Sequence, residues 1–333
     1  MPTARKTDTG KWTVLAHVGK NITPSGYKRF TRDTKREAEA AAAAYTEERA
    51  KPAAPSVTVG QAIDRYIESK TNVLSPSTIR QYRVQRSGDL QELMEIPVGE
   101  LTQEQVQRAV NSDSAVKSPK SLRNAHGLLS AALRVARPDF ALHTTLPQKR
   151  KTQIVIPTKA EVDRMLGAAK PDHDLYLAVM LASHMGLRRS EICALTPKDI
   201  EGDYLNVCKA VVLNDKNAWV GKGTKSYAGT RRLKIPKSVM RVMKHEKGER
   251  LISSDPNEIT QRFETLLARE GIGKCRFHDL RHYYASVLLS LGVPDKYAME
   301  RMGHETDHML KTVYQHTMSE QETKIDSKIE KYF

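Results

Sequence analysis

The sequence lacks several features that mark other classes of protein. Its three cysteines lie far apart and include no CxxC pair, which argues against a disulfide framework or a zinc site and favours a reducing compartment. No apolar run reaches the roughly eighteen residues of a membrane-spanning helix. The first residues, MPTARKTDTGKW, contain no apolar core of the kind found in secretory signals. We therefore expect no membrane-spanning helix and a cytoplasmic location.

The sequence also has fewer acidic than basic residues, with 39 aspartates and glutamates against 54 lysines and arginines. The net charge of +15 predicts a polyanionic partner, either a nucleic acid or an acidic membrane surface. The 333 residues are enough for two or three domains with at least one sizeable core.

The first predicted domain, residues 1–54, combines a small β-sheet with a helix. KWTVLAHVG alternates apolar residues as a strand does, and ITPSGYKRF adds a turn and a second strand. An alanine-rich helix follows, with Thr34 as its N-cap and Glu37 at the third helical position. The stretch KPAAPS breaks this pattern and predicts a linker.

The second predicted domain, residues 57–145, is helical throughout. Its second helix, SPSTIRQYRVQRSG, begins with a serine N-cap and a proline at the first helical position. That helix carries Arg80, Arg83 and Arg86 at a spacing of three. These arginines form either a solvated basic face or a surface that contacts DNA phosphates.

The third predicted domain, residues 153–333, is mostly helical with a β region inside it. YLNVCKAVVL and NAWVGKGTKSYAGTRRLKIP predict three or four short strands with glycine-rich turns between them. The expected fold class of the whole chain is therefore mainly α with small β regions (α+β).

Two motifs of this third domain place basic side chains near turns. In HMGLRRSEICALTPKDI, Gly186 looks like the residue that follows a helix, and Arg188 lies at the turn into the next helix. Glu191, three residues on, can orient that arginine. GKGTKSYAGTRRLKIP is interpreted as a β-hairpin whose turn holds Lys222 and Lys225, from which a lysine can protonate a leaving oxygen.

Three more motifs follow towards the C-terminal end. The sequence CRFHDLRHYYASVLL puts His278 and Arg281 three apart at the start of a helix, where an anion is favoured between them. RMGHET places His304 after a short helix, and TVYQH places Tyr314 ten residues later. Each motif alone is a weak signal, but their order and spacing together predict phosphodiester chemistry.

The residue types fit that chemistry in a specific way. Arginines bind non-bridging phosphate oxygens as a bidentate fork and neutralise the charge that builds up there. A tyrosine in a positive environment can act as the nucleophile, and a lysine can act as the general acid. The sequence shows no metal-binding carboxylate cluster, so the arginines would do what Mg²⁺ does in other enzymes.

In these motifs the sequence resembles the tyrosine recombinases, also called the phage integrase family. The resembling pattern is G-L-R-x-x-E, a lysine near a hairpin, H-x-x-R, G-H and a later tyrosine. The resemblance implies that Arg188 and Arg281 clamp the scissile phosphate and that His278 assists as acid, base and hydrogen-bond donor. It also implies that His304 supports the phosphate and the nucleophile, and that Tyr314 attacks to form a 3′-phosphotyrosine.

The resemblance leaves one catalytic position open. The family usually has Lys-Thr or Lys-Ser before a strand that ends in Ile-Pro, so we assign the general acid to Lys225. Lys222 is the alternative, because some members have a Gly-Lys-Gly form. Glu191 and Asp279 would not touch the phosphate themselves. Glu191 would hold Arg188 in position, and Asp279 would hold the helix that carries His278 and Arg281.

The resemblance also implies the partners of the protein. The first domain would bind arm-type DNA sites, the second would bind core sites, and a homo-tetramer would exchange strands through a Holliday junction. Double-stranded DNA attachment sites are then the substrate, with an accessory DNA-bending protein or excisionase as a further partner and no cofactor or metal. Such an integrase, from a phage or an integrative conjugative element, would work on DNA in the bacterial host cytoplasm.

Two other functions remain open. A type IB topoisomerase shares the tyrosine chemistry, but it has no need of a domain that reads a second DNA site. A catalytically idle architectural DNA-binding protein has no need of the complete catalytic set. Both alternatives predict outcomes that differ from those of a site-specific recombinase in a covalent-capture experiment.

Overall fold

The computed structural model describes residues 3–17, 25–50, 56–149, 155–223, 229–243, 248–273 and 275–303, with residues 330 and 332. Three of the predicted site residues, Lys225, His304 and Tyr314, lie outside the described residues. Within the described part, helices predominate and the sheets are small and antiparallel, which confirms the predicted fold class.

The N-terminal unit is a three-stranded antiparallel sheet covered by one helix. Its strands, in spatial order, are β1 (Arg5–Lys6), β2 (Trp12–His17) and β3 (Tyr27–Arg32), and α1 (Lys35–Ala50) follows. The buried residues Val14 and Ala16 of β2 pack with Ala38 and Ala42 of α1, which confirms the predicted alternation. The edge strand β1 was not predicted, because two residues are too few to show a period.

A second unit contains the four predicted helices. These are α2 (Val59–Lys70), α3 (Pro76–Gly88), α4 (Gln103–Ser114) and α5 (Pro119–Ala136). Reciprocal side-chain and backbone hydrogen bonds start α2 at Thr58 and Gln61, and start α4 at Thr102 and Gln105. A single apolar cluster fills the space between the helices.

The third unit is the largest and contains the central core of the chain. Its elements are α6 (Lys159–Ala169), α7 (His173–Met185), α8 (Arg189–Ile192), β4 (Ile200–Glu201), β5 (Tyr204–Val207), β6 (Lys209–Leu213), β7 (Trp219–Gly223), β8 (Arg231–Lys234), α9 (Lys237–Met243), α10 (Pro256–Arg269), α11 (Asp279–Ser290) and α12 (Asp295–Met302). Helix α7 is buried on nearly all sides. The apolar faces of α6, α9, α10 and α11 pack in the same cluster as α7.

The β region corrects one prediction. Strand β7 pairs with β6, and the turn of that hairpin lies at residues 214–218 rather than at the lysines. Strand β8 pairs with β5 and not with β7. The turn forms because Asn214 Oδ1 accepts hydrogen bonds from the amides of Lys216 and Ala218, and because Asn217 adopts a φ of +56°. Lys222 therefore lies within a strand, opposite Ala210.

Each of the three units has its own apolar cluster. The predicted domain boundaries stay a prediction, because residues 51–55 and 150–154, at or beside those boundaries, lie outside the described residues. The three cysteines form no disulfide; Cys193 and Cys275 are buried and Cys208 is exposed. Within the described ranges no helix is both long and apolar enough to cross a membrane.

Candidate active site

The turn between α7 and α8 is shaped by a glycine. Gly186 follows α7 with a φ of +68°, and a Cβ at this position would lie 2.4 Å from Tyr284 Cδ1. Both facts require glycine, because other residues are strained at positive φ and any side chain would meet the tyrosine ring. The turn places Arg188 immediately before α8 and aims the carbonyl of Gly186 at Arg281.

Arg188 is held on two sides. Its Nη1 donates to Glu191 Oε1 over 2.7 Å, and its Nη2 donates to the carbonyl of Gly303 over 2.8 Å. The second oxygen of Glu191 accepts the backbone amide of Arg188 at 2.9 Å. The predicted orientation of Arg188 by Glu191 is therefore confirmed.

Arg281 is the largest fully buried side chain among the described residues, with 1% of its surface exposed. Its guanidinium donates to the carbonyls of Gly186 and Met302. Burial and the nearby charge of Arg188 lower the pKa of Arg281, but an arginine stays charged at neutral pH. The carbonyls that hold Arg281 and Arg188, those of Met302 and Gly303, belong to consecutive residues.

His278 lies at the start of α11, beside the arginine pair. Its ring meets His282 edge to face, with 5.1 Å between the ring centroids. The imidazole is open to solvent on one side, yet the protein around it, together with His282 and Arg281, lowers the pKa of His278 to about 4. His278 is therefore a neutral imidazole at pH 7.

Asp279 has a more local role than expected. Its buried carboxylate accepts three hydrogen bonds from Arg276, one from the backbone amide and two from the guanidinium. It therefore fixes the loop before α11 and the first turn of that helix through Arg276.

Sequence reasoning missed one residue of this site, Arg231. This arginine begins β8, has a side chain that is 3% exposed, and forms a fork with both oxygens of Glu191. The signal that could have found it is the alternation of β8, since Arg231 shares the inward phase of the buried residues Leu233 and Ile235. A charged residue in that phase needs a buried partner.

Arg188 and Glu191 border a cleft of about 390 Å³. Its lining includes Arg188, Glu191, Lys222 and Gly303 from the third unit, and Ser77 from α3. Of the predicted catalytic residues, Arg188 lines the cleft, as does Lys222, the alternative general acid. Arg281 and His278 lie close enough to Arg188 for its charge to lower the pKa of both. Among the described residues, no group of three or more histidine, cysteine, aspartate or glutamate side chains is arranged to hold a metal ion.

The three arginines of α3 all contact groups of the chain itself. Arg80 Nε donates to Asn217 Oδ1 at 3.3 Å, and Arg83 Nε pairs with Asp215 at 3.1 Å, both in the β6–β7 turn. Arg86 turns the other way and binds Asp64 and the carbonyl of Gly60 in α2. The stripe therefore divides into two arginines that face the third unit and one that joins two helices of its own unit.

Comparison with known proteins agrees with this arrangement. The phage integrase family model matches residues 157–321. An integrase of Saccharopolyspora erythraea is 30% identical over 131 residues, covering 33% of this chain and 30% of that protein. A XerC-like tyrosine recombinase of Caldanaerobacter subterraneus is 26% identical over 214 residues, covering 54% of each. The chain thus spans about a third to a half of the length of these curated relatives.

Solved structures share the fold. The integrase of transposon Tn1549, in complex with transposon right end DNA, has a TM-score of 0.64 at 18% identity and covers 80% of this chain and 99% of that chain. A lambda integrase tetramer bound to a Holliday junction has a TM-score of 0.60 at 21% identity, covering 94% of both chains.

The fold of the chain is that of solved integrases. Through residues 157–321, the chain belongs to the phage integrase family.

Proposed function

We propose that this protein is a site-specific DNA recombinase that cleaves and rejoins DNA through a 3′-phosphotyrosine at Tyr314. The observation that carries the proposal is the anchoring of Arg188 and Arg281 on the adjacent carbonyls of Gly303 and Met302. Two guanidiniums held this way present fixed positive charge to one small volume. His304 follows Gly303 in the sequence, and in this proposal it supports the phosphate and the nucleophile.

The arginines would act on the phosphate before and during the reaction. Each guanidinium can donate to non-bridging oxygens, and the charge of the pentacoordinate transition state is larger than that of the bound diester. Because the carbonyls and Glu191 already fix these side chains, little reorganisation is needed when that charge develops. A neutral His278 would add one hydrogen bond to the same oxygens.

The cleavage step conserves the phosphodiester bond energy. The phenolic oxygen of Tyr314 gives up its proton to His278, the base in our assignment, and forms a bond to phosphorus, while the bond from phosphorus to the 5′-oxygen breaks. The leaving 5′-oxygen takes a proton from the general acid, Lys225 in our assignment with Lys222 as the alternative. Attack by a 5′-hydroxyl from another strand reverses these steps and joins the new pair of ends.

The wider activity follows from the family. The protein would bind core and arm attachment sites, assemble as a homo-tetramer on two DNA sites, and integrate or excise a mobile element in the host cytoplasm. Support comes from the net charge of +15 and from the fold shared with DNA-bound integrases. An accessory DNA-bending protein or an excisionase would set the direction of recombination.

The test is covalent capture. The full chain is incubated with fragmented genomic DNA from its source and denatured in SDS, and the DNA that stays attached to protein is sequenced. We expect the wild type to enrich one short sequence and Tyr314→Phe to enrich none, because phenylalanine has no oxygen to attack phosphorus. Tyr297→Phe is the matched control, since Tyr297 is exposed on α12.

The other outcomes each favour another function. Covalent DNA of random sequence from the wild type would favour a topoisomerase. Equal capture by the wild type and Tyr314→Phe would contradict the assignment of the nucleophile. Binding without capture, by the wild type on DNA that carries both sites, would favour an architectural protein.

A further inference from the structure

Arg231 connects three segments that carry the site. Its Nη1 and Nη2 donate to the two oxygens of Glu191 at 3.2 and 2.8 Å. Its Nε donates to the carbonyl of Arg301 in α12 at 2.9 Å, and its Nη1 also reaches the carbonyl of Gly229 at 3.1 Å. One buried side chain thus joins α8, the end of α12, and the segment that leads from Lys225 into β8.

Arg231 also fixes the plane of the carboxylate. A fork of two parallel N–H···O bonds allows one orientation of a carboxyl group, whereas a single bond allows many. With Arg231 in place, Oε1 of Glu191 meets Nη1 of Arg188, and Oε2 meets the backbone amide of Arg188. The direction of the Arg188 guanidinium is therefore set from β8.

The charges around Glu191 come from four elements. Arg188 precedes its own helix, Arg231 lies on β8, Arg281 lies on α11, and Lys222 of β7 lines the same cleft. Lys209 of β6, which packs against α8, pairs instead with Asp199. Burial raises the pKa of Glu191, but Arg231 and then Arg188 outweigh it and lower that pKa to about 2. The carboxylate stays ionised over the working pH range.

We propose that Arg231 is a positioning residue of the recombination reaction, which acts through Glu191 to hold Arg188 in its phosphate-binding orientation. This inference rests on the proposed function. Arg231 lies behind Glu191 and makes its hydrogen bonds to groups of the protein, so its effect belongs to the cleavage step rather than to DNA binding.

The experiment compares cleavage with binding on the DNA fragment recovered by covalent capture. Arg231→Met keeps much of the side-chain volume and removes the charge and the fork. We expect the cleavage rate at pH 7.5 to fall about 10- to 100-fold, as for other residues that hold a reactive group in position through hydrogen bonds. The DNA affinity should change by less than about threefold. Arg232→Met is the matched control. Arg232 follows Arg231 on β8, faces outwards and pairs with Glu201, so its replacement should leave the cleavage rate and the DNA affinity unchanged.

The pH profile separates positioning from general destabilisation. In Arg231→Met the buried Glu191 loses its main cation, so its pKa rises and protonation weakens its hold on Arg188. The cleavage rate should then fall as pH drops from about 7 to about 5, while the wild-type rate should lack this loss. Arg231→Lys should restore the charge and remove the acid loss without restoring the full rate, because lysine has no fork. Adding Glu191→Gln to Arg231→Met should also remove the acid loss.

Three results would overturn the inference. These are wild-type cleavage by Arg231→Met, a loss of DNA affinity equal to its loss of rate, and the same pH profile in both proteins. If Arg231→Met does not fold, Arg231→Lys decides: full wild-type cleavage would refute the need for the fork.

A stability measurement distinguishes a wrong inference about Arg231 from a wrong proposed function. If the wild type captures no DNA, the function is wrong, and unfolding of the wild type, Arg231→Met and Arg231→Lys from pH 4 to 7 still tests the contact. With a folded pKa near 2, Glu191 contributes its full stabilisation to the wild type above about pH 4.5. In Arg231→Met the raised folded pKa of Glu191 would make the variant lose stability as pH rises towards 7, so the stability difference between the two proteins should grow with pH. A difference that is constant with pH would show that Arg231 does not govern the ionisation of Glu191.

Discussion

At the scale of single residues, the site depends on backbone carbonyls as much as on charged side chains. Among the described residues, no carboxylate forms a salt bridge with the buried Arg281, and the carbonyls of Gly186 and Met302 accept its hydrogen bonds. A guanidinium satisfied by neutral acceptors keeps its full positive charge for a phosphate. A carboxylate in the same place would have neutralised it.

The glycine that supplies one of these carbonyls gives a residue-scale prediction. Gly186→Ala should destabilise the fold by about 2–5 kcal/mol, because it adds about 1–2 kcal/mol of left-handed strain to an overpacking cost of about 1–3 kcal/mol against Tyr284. The measurement is denaturant unfolding beside covalent DNA capture, which should be lost because the carbonyl that holds Arg281 shifts.

Gly202→Ala is the control for that substitution. Gly202 has a φ of +57°, but a Cβ there would have no neighbour within 4 Å. It should therefore show the strain alone, about 1–2 kcal/mol, and retain capture. Equal losses at the two glycines would mean that contact with Tyr284 is not what requires glycine at position 186.

At the scale of elements, the β6–β7 hairpin determines where lysines can act. Its turn lies at residues 214–218, so Lys222 is on the ladder opposite Ala210, and Gly223 forms the last pair with Lys209. Lys222 and Ala210 both line the cleft. Lys225 comes two residues after that last pair and lies outside the described residues.

A leaving-group substitution tells the two lysines apart. Replacing the general acid by methionine should slow cleavage about 10²- to 10⁴-fold on ordinary DNA, but much less on DNA with a bridging 5′-sulfur, because a thiolate leaves without a proton. We expect this rescue for Lys225→Met and not for Lys222→Met, measured as the rate of covalent adduct formation on both substrates. Rescue of Lys222→Met alone would move the assignment to Lys222.

At the scale of the whole molecule, the second and third units meet above the site. Helix α3 contacts the β6–β7 hairpin through Arg80 and Arg83, and Ser77 of the same helix lines the cleft beside Arg188. A cleft of about 390 Å³ is much smaller than a segment of duplex DNA. We therefore expect α3 and the hairpin to separate when duplex DNA reaches Arg188, which would free Arg83 from Asp215.

This geometry predicts different roles for arginines of one stripe. If Arg83 moves from Asp215 to a DNA phosphate, Arg83→Gln should reduce the salt dependence of binding to duplex DNA by about one unit of slope in log K against log salt. Arg86→Met should keep the slope and instead lower the free energy of unfolding by about 1–3 kcal/mol, because it removes charged hydrogen bonds within the second unit. Equal slopes for all three proteins would limit Arg83 to an intramolecular contact.

Much of the architecture follows from local patterns in the sequence. Capping residues, alternation and helical periodicity predicted the strands at Trp12–His17 and Tyr27–Arg32, the helix that begins after Thr34, and the four helices of the second unit. Spacing of motifs predicted that Arg188, His278 and Arg281 belong to one site. These signals are readable because each depends on neighbours within a few residues, or on a motif order typical of the family.

The tertiary structure decided what depends on distant partners. Strand β8 pairs with β5, which lies far from it in the chain. The fork joins Arg231 to Glu191 across 40 residues, and the hydrogen bond from Arg188 to the carbonyl of Gly303 spans 115 residues. A period or a cap carries no information about such partners, because burial chooses them only when the elements pack. The sequence by itself determined the residue types and the local elements that carry them to a basic site. Packing determined which carbonyls and which carboxylate hold the arginines there.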